Sequence, residues 1–114
     1  MSSRQLKAAS SKPLVLSLLR FRESYGYQII KDVERLSGGS LEWTEAMLYP
    51  VLHRMEKEGL IRSRWDVSEE GRRRKYYSIS EAGRASLQEE KQAWMDVHSV
   101  LTALWSGSPD LTVG

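Results

Sequence analysis

Hydrophobic positions in this chain recur first at helical spacing, then at a period of two, then at helical spacing again. Leu14, Val15, Leu18 and Leu19 make a first apolar face. Pro13 just ahead of it suits the first turn of a helix ending near Glu23, which leaves Met1–Ser11 as a polar mobile arm. Gly26 reads as a turn, after which Ile29, Ile30, Val33 and Leu36 mark a second helix, closed by Ser37-Gly38-Gly39-Ser40. Leu48, Val51, Leu52 and Met55 sit at i, i+3, i+4 and i+7 and form the stripe of a third. Thr44 is a natural N-cap for it, Glu45 suits the positive helix N-terminus, and Gly59 stands where a left-handed stop is wanted.

The pattern then changes. Ile61, Ser63, Trp65 and Val67 alternate with Arg62, Arg64 and Asp66, and after a loop carrying Gly71 a second strand ends in Tyr76, Tyr77 and Ile79. By parity with Ile79, Tyr77 faces inward. Leu41-Glu42-Trp43 has the length of one short strand, expected to pair with these two. Ser80 and Glu81 open a last helix of about 25 residues, about 37 Å long at 1.5 Å rise. Leu87, Trp94, Val97, Leu101 and Leu104 fall on an a/d-like seam along it, with Glu90 as a polar member. Gly83 should cost that helix a little near its start.

A helix followed by a basic β-hairpin is the winged helix-turn-helix plan, in which the helix enters a groove and the wing grips the backbone. The expected class is mainly α with a small β-hairpin wing. Residues 1–79 form the winged helix-turn-helix domain, 80–105 a dimerisation helix and 106–114 a disordered tail. So long a last helix has little of its own domain to pack against, and a twofold partner is the simplest cover for its apolar side. The alternative is a helix folded back on its own domain. The expected dimer surface comprises Leu14, Leu18, Leu87, Trp94, Val97, Leu101 and Leu104.

Charge sharpens this picture. The net charge over 114 residues is only +2, but it is unevenly spread. Residues 1–22 carry Arg4, Lys7, Lys12, Arg20 and Arg22 with no acid, and residues 60–75 carry six basic groups against Asp66, Glu69 and Glu70. Either cluster alone is most simply a solvated surface. Two of them bracketing a helix-turn-helix pattern point to duplex DNA. The candidate contacts are Thr44, Glu45, Ala46, Tyr49, His53, Arg54 and Lys57 on the helix, with Arg72, Arg73, Arg74 and Lys75 on the wing. The Tyr49 hydroxyl suits a phosphate, and Pro50, inside the helix, removes the bond to the Ala46 carbonyl and should bend the axis.

Other chemistries find no support. Cysteine is absent, so disulfides, thiolate catalysis and zinc–thiolate sites are excluded, which fits a reducing cytoplasm. His53 and His98 lie on different helices without an acidic cluster at ligand spacing, so no metal or cofactor is expected. Gly38-Gly39 lacks the Gly-Lys-Ser/Thr of a phosphate loop, and no catalytic constellation appears. No run approaches the roughly 20 apolar residues of a membrane span. Leu14–Leu19 after a basic start is too short for a signal peptide and meets Arg20 and Arg22 at once. The competing functional class is a winged-helix module for protein contact, its basic wing facing an acidic partner. Steep salt-dependent duplex binding separates the two.

Five motifs stand in one order: Tyr25-Gly26-Tyr27-Gln28-Ile29-Ile30, Leu48-Tyr49-Pro50, Glu58-Gly59-Leu60-Ile61, Gly71-Arg72-Arg73-Arg74-Lys75-Tyr76-Tyr77 and Glu81-Ala82-Gly83. In that order, from about Leu14 to Trp105, the chain resembles the PadR family of bacterial transcriptional regulators. The resemblance implies a winged helix-turn-helix dimer that binds an operator and usually represses. The single C-terminal helix is similar to the shorter branch of that family. Some members of that branch take flat aromatic drugs between paired tryptophans at a position that looks like Trp94. The resemblance thus implies a candidate site for a small aromatic effector at Trp94, Glu90 and Val97, against the plainer reading of Trp94 as core.

Overall fold

The computed structural model describes residues 4–107. Its elements run α1 (Arg4–Leu19), β1 (Ser24–Tyr25), α2 (Gly26–Leu36), α3 (Glu45–Lys57), β2 (Ile61–Val67), β3 (Arg73–Ile79) and α4 (Glu81–Trp105). Helices α1, α2 and α3 and the base of a three-stranded antiparallel sheet, in the order β1-β3-β2, enclose one core. Val15, Leu16, Ile29, Leu48, Leu52 and Ile61 are its most deeply buried members. The winged helix-turn-helix plan read from the periodicity is the observed fold.

Three local expectations differ. The arm expected over 1–11 is helical from Arg4 onward, and Pro13 lies inside α1 rather than at its start. Proline removes the bond that the Ala9 carbonyl would accept and crowds that carbonyl. Tertiary packing offsets this cost: Ser11 is buried, and Lys12 pairs with Glu90 of α4 at 3.8 Å. The same helix stops at Leu19, short of Glu23, because Ser24 and Tyr25 are taken up as a strand. They pair with Tyr77 and Tyr76, so the free edge of β3 is occupied by these residues and not by Leu41–Trp43. Leu41–Trp43 is irregular, with Trp43 buried in the core ahead of α3. The tail expected over 106–114 lies outside the described residues from position 108.

The ends of α3 follow the sequence signals closely. The Thr44 hydroxyl accepts from the Met47 N–H at 3.2 Å, and Gly59 has φ +79°. The Leu60 and Gly59 N–H groups bond the Met55 and Glu56 carbonyls, which is the Schellman arrangement that ends a helix sharply. The Ser80 hydroxyl donates to the Gly59 carbonyl at 2.6 Å and accepts from the Gly83 N–H at 3.0 Å. One serine therefore caps α4 and ties it to the end of α3. Gly83 is buried where a Cβ would stand 2.1 Å from the Leu60 carbonyl oxygen. Glycine there is a requirement of close approach rather than a small helical defect.

Candidate nucleic-acid interface

Strands β2 and β3 pair from Ile61–Ile79 at the base to Val67–Arg73 at the tip. The connection is held by the Ser68 N–H on the Arg72 carbonyl, the Arg72 N–H on the Ser68 hydroxyl, and Gly71 at φ +80°. Alternation sends Ile61, Ser63, Trp65 and Val67 to one face, with Ile79, Tyr77, Lys75 and Arg73 beside them. Near the base this face is core, and Tyr77 is buried as its parity predicts. Towards the tip the same face leaves the body, and Trp65 is 56% exposed. The period of two thus identified the strand but not its full burial.

Basic residues on the wing differ in how they are held. Arg74 lies over the Tyr25 ring at 4.3 Å and 4.0 Å from a Glu70 carboxylate oxygen. Lys75 is 3.7 Å from Glu56 of α3, whose carboxylate also accepts from the Ser63 hydroxyl. Glu56 therefore links the end of α3 to both wing strands. The Arg73 guanidinium carbon lies over the Trp65 indole, 4.6 Å from its centroid, and Arg72 and Arg73 are exposed. Arg64, on the other sheet face, is engaged by Glu23 and by Asp66 at 2.6 Å. Its guanidinium holds the Asp66 carboxyl below the usual carboxylate range.

On α3 the apolar stripe turns inward, leaving Thr44, Glu45, Ala46, His53, Arg54 and Lys57 exposed. Tyr49 is different. Its phenol packs across the start of α2, where a Cβ on Gly26 would come 2.8 Å from the Tyr49 Oη. Gly26 is thus the first residue of α2 and a point of contact between α2 and α3, not a turn. Burial, and then Glu45, raises the Tyr49 pKa, so the hydroxyl stays protonated and available as a donor. A groove of about 650 Å³ runs between the start of α2, Tyr49 and the wing, lined by Tyr25, Tyr27, Trp65 and the four consecutive bases Arg72–Lys75. It joins Tyr49 to all four wing candidates. Its aromatic members Tyr25, Tyr27 and Trp65 were missed in the sequence reading. Their signals were the two tyrosines flanking Gly26 and a tryptophan on the strand half furthest from the core.

Comparison with known proteins decides what this arrangement belongs to. Residues 15–89 match the Transcriptional regulator PadR-like family. The chain belongs to that family. A PadR-like transcriptional regulator from Bacillus cereus is 31% identical, with TM-score 0.80 over 91% of this chain and 99% of that one. A PadR family transcription regulator from Clostridium difficile is 33% identical, with TM-score 0.74 over 84% and 98%. Transcriptional regulator Rv3488 of Mycobacterium tuberculosis is 40% identical over 60 residues, 53% of this chain and 55% of that protein. PadR-like proteins are DNA-binding transcriptional regulators rather than enzymes, and this chain is one of them. Among the described residues no helix is long and apolar enough to cross a membrane.

The second surface with unspent apolar area is on α4. Leu87 is 5% exposed, covered by its own chain, so this expected interface residue is core instead. Leu14 and Leu18 are half-buried against the same core. Beyond Leu87 the stripe is open: Trp94, Val97, Val100 and Leu104 are exposed and Leu101 is half-buried. Between α1 and α4 lies a largely apolar groove of about 570 Å³, reaching from Leu6 and Leu14 to Lys91 and Trp94. Glu90 and Val97 do not line it, and Glu90 is engaged by Lys12. Glu90, Trp94 and Val97 stand at i, i+4 and i+7 on one face of α4, and of the three only Trp94 lines this groove.

Proposed function

We propose that the protein works as a homodimeric repressor on a palindromic operator in the cytoplasm. The carrying observation is that Tyr49 of α3 and the basic wing line one groove, with His53, Arg54 and Lys57 exposed on the same helix outside it, while the apolar stripe of α4 beyond Leu87 is left uncovered by its own chain. In this reading His53 and Lys57 reach base edges, and Arg54, the Tyr49 hydroxyl and the main-chain N–H groups at the α3 start (Thr44, Glu45, Ala46) meet the backbone phosphates. Arg72, Arg73 and Arg74 grip phosphates or the minor groove, with Lys75 behind them. A twofold pairing through Trp94, Val97, Leu101 and Leu104 would set two α3 helices about one DNA turn apart, roughly 34 Å. The groove ending at Trp94 would then open at the dimer interface and admit a flat aromatic effector that releases the operator.

Selection of bound duplexes from a random pool tests the core of this reading. An inverted repeat with half-sites about one turn apart is expected. Binding that shows no sequence preference over competitor DNA would overturn it. A planar cationic dye should quench tryptophan emission and lower operator affinity, and Trp94→Ala should remove both effects. Quenching that persists in Trp94→Ala would assign the dye elsewhere and end the effector proposal.

A further inference from the structure

We propose that Trp65 is the positioning residue of the wing: its indole holds the Arg73 guanidinium ready for the DNA backbone without neutralising it. This rests on the reading of the wing as a duplex contact. Trp65 pairs across the hairpin with Lys75, and Arg73 pairs with Val67. Arg73 is thus the diagonal neighbour of Trp65 on one sheet face, within reach of a long side chain. Its guanidinium carbon lies 4.6 Å from the indole centroid. Among the described residues Arg73 has no carboxylate partner, whereas Arg74 and Lys75 lie 4.0 Å from Glu70 and 3.7 Å from Glu56.

The kind of restraint matters. A carboxylate orders a basic side chain and cancels its charge. An aromatic face orders the guanidinium through its quadrupole and leaves the full charge in place. A guanidinium held over a ring gives none of its N–H donors to a carboxylate, so the fork is left for phosphate oxygens. An unrestrained arginine loses rotamer freedom on binding, and one already held on a ring loses less. An indole 56% exposed at the far end of a hairpin contributes little to the core, so its position is better explained by what it holds.

The test is a double-mutant cycle on affinity for a selected duplex. Trp65→Ile keeps strand propensity and bulk but has no π face, and Trp65→Phe keeps a ring. Trp65→Ile is expected to weaken binding about threefold to fivefold with an unchanged melting temperature, and Trp65→Phe to restore most of the loss. In an Arg73→Ala background all three residues at position 65 should bind alike. A Trp65→Ile loss that persists with Arg73→Ala would mean the ring touches DNA itself and would overturn the inference, as would no loss in either background. If Arg73→Ala alone leaves affinity and salt dependence unchanged while the native protein binds the duplex, the wing reading falls and this inference with it.

Discussion

Helices α3 and α4 carry the same kind of apolar stripe in very different surroundings. In α3, Leu48, Leu52 and Met55 are sealed against α1, α2 and the sheet, none more than 2% exposed. In α4 only Leu87 is sealed, while Trp94 is 37% and Trp105 75% exposed. The difference lies in what each helix meets. Helix α3 is pinned at both ends, by Thr44 and by the Schellman turn at Gly59, inside a ring of elements. Helix α4 is pinned over its first ten residues, through Ser80, Gly83, Leu87 and the Lys12–Glu90 pair, and then runs past the body that covers it. A stripe reports which face of a helix avoids water, and the length of the neighbouring elements decides how much of it the chain itself covers.

Substitutions on the two stripes should therefore fail in different ways. Replacing Leu101 and Leu104 together by Asp should leave the protomer folded by circular dichroism but raise the dimer dissociation constant about a thousandfold or more, over about 4 kcal/mol. Analytical ultracentrifugation reads this, and a native chain monomeric at micromolar concentration would remove the contrast altogether. Leu52→Ala should instead lower unfolding stability by about 2–5 kcal/mol in a denaturant titration, since the enclosed site cannot collapse around the cavity. A loss as small as that of an exposed residue would show α3 to be loosely packed.

The outward face of α3 should respond in specificity instead of stability. His53→Ala or Lys57→Ala should reduce discrimination between the selected operator and its single-base variants by about 1–3 kcal/mol with unchanged melting. Equal losses on operator and random duplex would make that residue a backbone contact.

The smallest effect concerns Tyr77 beneath the wing. Burial first, then Glu56 and Tyr49, raise its phenol above the ordinary value of 10.0. Below that pH the group is protonated in both states. As the pH rises past it the unfolded chain releases the proton first, so stability falls until the folded phenol also ionises. Tyr77→Phe should flatten the alkaline limb of a stability–pH curve, and an unchanged limb would place the cause elsewhere.

Much of this was legible along the chain. Apolar spacing at 14–19, 29–33 and 48–55 marked three core-facing stripes, because a helical face must repeat near 3.6 residues whatever covers it, whereas Leu36, expected on the second, is 65% exposed. The caps at Thr44, Gly59 and Ser80 were readable because each satisfies backbone groups within a few residues. The basic run at 72–75 and the exposed face of α3 were readable as charge and parity.

What the sequence pattern left open was contact across the chain. Whether Pro13 began α1 or lay within it depended on packing and the Lys12–Glu90 pair, which span two helices. The edge of β3 went to Ser24–Tyr25 instead of Leu41–Trp43 because two short segments competed for one ladder, and local propensity does not rank them. Gly26 and Gly83 looked like a turn and a minor defect, yet each is set by an approach from elsewhere, the Tyr49 phenol and the Leu60 carbonyl. Leu87 belonged to the seam by spacing and to the core by position. Local chemistry determined the elements and their faces; only the tertiary structure decided which faces meet, because close packing is a property of atoms distant in sequence.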